Sequence, residues 1–222
     1  CKAAEKKLVK AASKVYKKFL ASCPAPDAPG SKQVAALMTI TGLIDAPKAD
    51  KEFLSINGAQ GFSTFYGYYM LEAMATAGNY QGALDVIREY WGAMIDLGAT
   101  SFWEDFDINW IPNATPIDEL VPEGKKDIHG DCGAYCYVGF RHSLCHGWAS
   151  GPTSWLSRHI LGVEVIEPGC RQVRITPHLG DLQWVKGTFP TPYGEIQIYH
   201  EKQANGNVIS EVKAPKGVSV IK

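Results

Sequence analysis

The spacing of apolar residues along this chain changes character once, at Gly162, and that change limits the folds open to it. Before Gly162, apolar positions recur every three or four residues. Leu8, Ala11, Ala12, Val15, Phe19 and Leu20 fall on one side of a lysine-rich segment at residues 2–21, the pattern of a helix with a solvated basic face. After Gly162, short segments at residues 163–166, 172–175, 183–189, 194–199, 208–212 and 218–220 alternate with period two, separated by Pro-Gly, Pro-Tyr-Gly and Asn-Gly-Asn turns. Helices and strands in separate blocks exclude a doubly wound sheet, which interleaves them. They predict two domains in series, residues 1–162 and 163–222.

Within the first block, Pro24, Pro26 and Pro29 make residues 23–30 a loop, because proline cannot continue a helix. Ser31 reads as the N-cap of a second helix through Val34, Leu37, Met38 and Ile40. Residues 61–77 and 80–97 read as two more helices, each ending at a glycine, Gly78 or Gly98. The Gly78-Asn79 join is too short to separate them, so they form an antiparallel hairpin. Residues 110–133, with Pro112, Pro116, Pro122 and Gly124, read as loop, and residues 148–161 as a further helix.

Lys plus Arg (22) nearly balances Asp plus Glu (23), so no electrostatic footprint for nucleic acid or an anionic membrane follows. No apolar run approaches the roughly 18–20 residues of a membrane helix. Six tryptophans and ten tyrosines suit a carbohydrate or small-molecule site. Cys1, Cys23, Cys132, Cys136, Cys145 and Cys170 lack the paired C-x2-C spacing of structural zinc and read as buried free thiols. The chain opens at Cys1 and runs straight into the amphipathic segment, without the charged and apolar regions of a signal peptide. That beginning reads as the interior of a larger protein, with a lipoprotein processed before Cys1 as the other reading. No glycine-rich nucleotide loop follows a strand, and Gly147-Trp148-Ala149-Ser150-Gly151 places its serine one position too late for a nucleophile elbow.

Two clusters carry chemistry. In Thr100-Ser101-Phe102-Trp103-Glu104-Asp105-Phe106-Asp107, acidic residues lie among aromatics. A sugar ring stacks on an aromatic face, and a neighbouring carboxylate can activate water. The structural alternative is an acidic loop with aromatics packed beneath it. In Arg141 to Leu156, His146 stands beside Gly147-Trp148, where an imidazole and an aromatic wall can meet a ligand. A hydrogen-bonded structural histidine fits equally well there. Gly147 and Gly151-Pro152 read as breaks, with Thr153 or Ser154 starting the next helix. His129, His159, His178 and His200 carry no local signal.

These clusters, in order with Ser143-Leu144-Cys145-His146-Gly147-Trp148, Trp155-Leu156, Leu161-Gly162-Val163, Pro168-Gly169 and Ile175-Thr176-Pro177, resemble the bacterial α-L-rhamnosidases of glycoside hydrolase family 78. Thr191-Pro192-Tyr193-Gly194-Glu195-Ile196 is similar to a Thr-Pro-x-Gly-x-Ile stretch of that family's C-terminal β-domain. The resemblance is strongest from Gly98 to His200. It departs at Cys145, where asparagine is commoner, and at Asp105, often arginine.

The resemblance implies a mainly α then β fold: a partial (α/α)6 helical barrel followed by a C-terminal antiparallel β-sandwich. It implies inverting hydrolysis of terminal α-L-rhamnosides, with Glu104 as general base, His146 contacting the sugar, and Trp103 and Trp148 as aromatic walls. Inversion needs a second carboxyl about 6.5–9.5 Å from the first, as the acid that protonates the leaving oxygen. The family's acidic stretch for that role has no counterpart before Glu104; Glu52 and Glu72 qualify by residue type alone. The expectation is therefore a C-terminal fragment, inactive alone, with about half of the barrel's twelve helices. Its exposed apolar flanks would be covered by the rest of the barrel or by self-association. The implied partner is a rhamnose-containing glycoside, the implied setting periplasmic or extracellular. No metal or cofactor is called for, since two carboxyls and a water suffice. Two alternatives stand beside this reading: a non-catalytic carbohydrate-binding or structural module, and a helical-barrel glycosidase for another sugar.

Overall fold

A computed structural model describes Lys14 and residues 31–124 and 143–221. The expected helix at 2–21, Lys14 apart, the loop at 23–30 and the end of the loop at 110–133 lie outside the described residues.

Helix α1 (Lys32–Ile40) starts where Ser31 caps it, its hydroxyl accepting the Val34 N–H at 3.3 Å. Ala35, Ala36, Met38 and Thr39 are buried, while Val34, Leu37 and Ile40 stand exposed along one side. Helix α2 (Ala46–Ala49, continued by a π-helical turn Asp50–Leu54) has no apolar period to announce it. Its only local signals are the Asp45 cap, which accepts the Lys48 N–H at 3.0 Å, and Pro47 in the first turn.

Helix α3 (Gly67–Thr76) begins later than the expected residue 61. Residues 57–62 instead form turns, with Gln60 N–H donating to Asn57 and Phe62 N–H to Ala59, each at 3.1 Å. Helix α4 (Tyr80–Asp96) follows after the short expected join. Gly78, at φ +80°, closes α3 in the left-handed region. Asn79 caps α4, accepting the Gly82 N–H at 2.9 Å, and its amide donates to Asp50 of α2 at 2.9 Å. A 3-10 turn at Ile108–Asn113 precedes irregular chain, and a second at Gly147–Ala149 precedes α5 (Gly151–Trp155, continued by a π-helical turn Leu156–Ile160). Gly151-Pro152 opens α5 instead of interrupting the chain there, as a proline in the first turn forfeits no intrahelical bond. Leu54, Met70, Leu71, Met74, Tyr90 and Trp155 belong to the core that joins these helices.

Strands β1 (Val163–Val165), β2 (Gln172–Ile175), β3 (Trp184–Thr191), β4 (Gly194–Lys202), β5 (Val208–Lys213) and β6 (Ser219–Ile221) all lie where period two placed them. They form two three-stranded sheets, ordered β1-β2-β6 and β3-β4-β5. Pairing is antiparallel except between β2 and β6, which run parallel with Val173 opposite Val220. The expected antiparallel sandwich is thus mixed at that pair, because the link from β5 crosses to the other sheet and no hairpin turn sets the direction of β6. Val163, Val173 and Ile175 of one sheet and Ile196 and Ile198 of the other share a buried cluster.

The helical and β parts are tied at several points. Arg88 of α4 makes a two-pronged pair with Asp181, at 3.0 and 2.8 Å. His178 stacks on Tyr80, ring centroids 3.7 Å apart. Buried His200 donates Nε2–H to the Leu161 carbonyl at 3.1 Å, leaving Nδ1 to accept the Ser210 hydroxyl at 2.7 Å. These histidines, without signal in the sequence, are structural.

Candidate functional site

The two motif clusters, some forty residues apart in sequence, meet in an antiparallel clasp. Glu104 N–H donates to the Ser143 carbonyl at 2.8 Å, and His146 N–H to the Phe102 carbonyl at 2.7 Å. The Ser101 hydroxyl donates to the Leu144 carbonyl. Unpaired main-chain groups away from water are costly, so each segment satisfies the other. Buried Trp91 of α4 donates its indole N–H to the Ala149 carbonyl at 3.0 Å, anchoring the turn that carries Trp148.

Glu104 is held at both ends. Its main-chain carbonyl accepts the Thr64 hydroxyl at 2.6 Å and the Trp148 indole N–H at 2.7 Å. Its carboxylate accepts the Ser143 N–H through Oε2 at 2.7 Å, and His146 Nδ1 stands 3.9 Å from the same oxygen. The His146 ring lies against Trp148, centroids 4.3 Å apart. Glu104 lines a cleft of about 710 Å³ with Phe62, Phe65, Tyr66, Trp110 and Trp148. The volume is that of a small-molecule site.

Glu104, His146 and Trp148 are therefore brought together. Trp103 is not: it is 0% exposed, packed edge-on against Phe106 at 6.0 Å in the helical core. Its expected place as a wall of the site is corrected, since a fully buried ring has no face for a sugar. Phe65 and Tyr66 line the cleft instead. Their signal in the sequence is the dense aromatic run Phe65-Tyr66-Gly67-Tyr68-Tyr69, which lies within the segment that reads as helix. The thiol expectation is corrected as well: Cys145 is exposed and Cys170 half-buried, while the other four cysteines lie outside the described residues.

Among the described residues, the carboxylates lining the cleft are Glu104, Asp105 and Asp107. Asp105 accepts the Phe106 N–H at 2.9 Å, and Asp107 caps the 3-10 turn by accepting the Asn109 N–H at 2.8 Å. Buried Tyr90 donates its hydroxyl to the Phe106 carbonyl, and burial, with Asp105 and Asp107 nearby, pushes its phenol up. Glu72 is engaged elsewhere, 3.1 Å from His159 Nε2 and 3.4 Å from Arg158, and Glu52 is exposed on α2. Among the described residues, no three His, Cys, Asp or Glu side chains cluster closely enough to hold a metal ion, and no helix is long and apolar enough to cross a membrane.

Helices lead into a two-sheet domain, and a pinned carboxylate lies in a cleft lined by aromatic rings. Residues 162–221 match the bacterial alpha-L-rhamnosidase C-terminal domain. A GH78 family rhamnosidase of Bacillus sp. GL1 superposes with a TM-score of 0.65 at 27% identity, over 86% of this chain and 18% of its own. The Aspergillus terreus α-L-rhamnosidase superposes at 0.70 with 19% identity, over 97% of this chain and 24% of its own. The Streptomyces avermitilis α-L-rhamnosidase, solved with L-rhamnose, superposes at 0.67 with 17% identity, over 94% and 20%. No curated protein matches the sequence. Residues 162–221 are thus similar to the C-terminal domain of bacterial alpha-L-rhamnosidases, and the fold of the chain is similar to part of the solved GH78 rhamnosidase. It spans about a fifth of the length of the solved structures it matches.

Proposed function

We propose that this chain supplies the general base and one sugar-contacting wall of an enzyme that hydrolyses terminal α-L-rhamnosides with inversion. The observation that carries the reading is the Glu104 carboxylate, fixed through Oε2 by the Ser143 N–H and lining the aromatic cleft beside His146 and Trp148. A carboxylate held in one orientation is suited to take a proton from a water poised to attack the anomeric carbon. His146 hydrogen-bonds the sugar, and the Trp148 ring packs on its apolar face. Inversion also requires an acid to protonate the departing oxygen. Among the described residues, Asp105 and Asp107 accept local main-chain N–H groups, and the proposal takes the acid, by the same resemblance, from the part of the barrel that this chain does not supply, leaving the chain alone inactive. The rest of the barrel would cover the exposed side of α1. A periplasmic or extracellular setting belongs to the same proposal and rests on the resemblance.

Calorimetry of the 222-residue chain with L-rhamnose tests the reading, beside p-nitrophenyl α-L-rhamnoside turnover. Binding that survives Glu104→Gln and weakens at least about tenfold in His146→Ala is expected, with no nitrophenol released. Absence of rhamnose binding would sink the assignment of the sugar. Turnover by the chain alone would place the acid within it. A non-catalytic carbohydrate-binding module is the second reading, favoured by the same local commitment of Asp105 and Asp107. A longer polypeptide containing this chain that binds rhamnoside but never turns it over would select that module.

A further inference from the structure

The cleft at Glu104 does not end at Trp148. Phe65 and Trp148 are also walls of a neighbouring pocket of about 240 Å³, which continues past Tyr68 and Tyr69 to Ser150 and Ser154. Ser150 and Ser154 in turn line a groove of about 820 Å³ between α5 and the β domain, with Thr188 of β3 on the opposite wall. Three depressions thus share their boundary residues in sequence and form one path from the candidate base to the junction of helices and sheets.

The chemistry changes along that path in a way that selects an occupant. At the cleft end the surface is aromatic: Phe65 packs 5.7 Å from Trp148 and 5.8 Å from Tyr69, and Phe65 and Trp148 are 40% and 47% exposed. Further on the groove is two-faced, with the hydroxyls of Ser150, Thr153, Ser154 and Ser157 on one wall and Val163, Val165, Phe189 and Pro190 beside Thr188 on the other. The Ser150 hydroxyl donates to the Gly147 carbonyl at 2.7 Å and that of Ser157 to the Thr153 carbonyl at 3.0 Å. Their protons are used inside the chain, so toward the groove these oxygens act as acceptors. The charged side chains at its far end are already paired, Arg158 with Glu72 at 3.4 Å and Glu164 with Arg174 at 2.8 Å. A purely apolar helix would offer no donor to the open lone pairs of these hydroxyl oxygens, and an anion would find no uncommitted cation among these residues. Rings followed by a groove with one hydroxyl-acceptor wall and one apolar wall match a chain of neutral sugars, whose CH faces pack on apolar surface and whose hydroxyls donate. The wall is firm: a side chain at Gly151 would meet Tyr68 Cβ at 2.6 Å, so α5 and α3 are in direct contact there.

We propose that this path seats the leaving-group side of a neutral oligosaccharide, so that the substrate is an extended rhamnose-terminated glycan and not a small rhamnoside. The proposal rests on the reading of the Glu104 cleft as the site of the terminal rhamnose. Calorimetry of the full chain with methyl α-L-rhamnopyranoside and with rhamnose-terminated di- and tetrasaccharides tests it. Kd falls at least about tenfold from monosaccharide to tetrasaccharide. Ser154→Trp on α5 and Thr188→Trp on β3 each fill the groove and abolish that gain, while the monosaccharide Kd stays unchanged and reports an intact fold. Equal affinity at every length, or a gain that survives both substitutions, overturns the groove and leaves the Glu104 reading standing. Tetrasaccharide binding without monosaccharide binding, lost in both variants, keeps the groove and overturns the placement of rhamnose at Glu104. Failure of every ligand to bind overturns both.

Discussion

The indole N–H of Trp148 donates a 2.7 Å hydrogen bond to the main-chain carbonyl of Glu104, an oxygen that also accepts the Thr64 hydroxyl at 2.6 Å. The same ring that faces the cleft therefore positions the peptide carrying the candidate base. Trp148→Phe and Thr64→Val should each cost about 0.5–1.5 kcal/mol, the usual net worth of one hydrogen bond. Together they should cost at least about 0.5 kcal/mol more than their sum, because the second loss strips the carbonyl of its last side-chain donor. Urea unfolding of the four-protein cycle checks this, and strict additivity would show that the two donors act independently.

The exposed thiol of Cys145 lies next to His146, whereas that of Cys170 is half-buried. Alkylation of the native chain, read peptide by peptide in a mass spectrometer, should label Cys145 before Cys170. Rhamnose binding should weaken as label accumulates on Cys145, and Cys145→Ser should remove that sensitivity while binding normally. Labelling without any effect on binding would place the sugar away from His146.

Gly162 marks the passage from helices to strands with φ +73°, and a Cβ there would lie 2.3 Å from the Thr176 carbonyl carbon. Neither that carbon nor its neighbours can move without breaking the bond from Thr176 N–H to the Gly162 carbonyl, 2.9 Å long. Left-handed strain and a main-chain clash add, so Gly162→Ala should lose about 2–4 kcal/mol of stability. A loss below about 0.5 kcal/mol in urea unfolding would mean the junction is more pliant than its geometry indicates.

Two histidines at that junction disfavour protonation. Burial lowers the pKa of His178, helped by nearby His159. Burial also lowers that of His200, partly offset by its bond to the Leu161 carbonyl. A depressed histidine binds fewer protons folded than unfolded, so stability is complete above the unfolded value of about 6.5 and falls as pH drops through the folded values. Thermal midpoints should decline from about pH 6.5 downward. His178→Gln should flatten part of that slope, and an unchanged slope in this variant would exclude His178 as its source.

Much of the architecture was legible in local signals. Period two placed all six strands, and Ser31, Gly78 and Gly98 marked helix ends because capping and left-handed closure are properties of a few neighbouring residues. Helix α2 escaped because a short helix with one π-helical turn has too few residues to display a period. Helix α3 began late because residues 57–62 turn and Thr64 turns its hydroxyl to Glu104, choices made by a segment forty residues away. In the candidate site, residue type and neighbours mark Glu104, His146 and Trp148, but nothing local separates Trp103 from Trp148.

The sequence by itself determined the division into helices and then strands, the strand positions and the short list of chemically apt side chains, since periodicity, turn chemistry and residue type act over a few residues. Only the tertiary structure decided which ring faces solvent, which carboxylate is held toward the cleft and where β6 pairs. Those outcomes depend on long-range partners. Trp103 is buried against Phe106, and Trp148 is left at the rim by the bonds of Trp91 to Ala149 and of its own indole to Glu104. Packing of distant segments settles the direction of a side chain, and no local pattern encodes it.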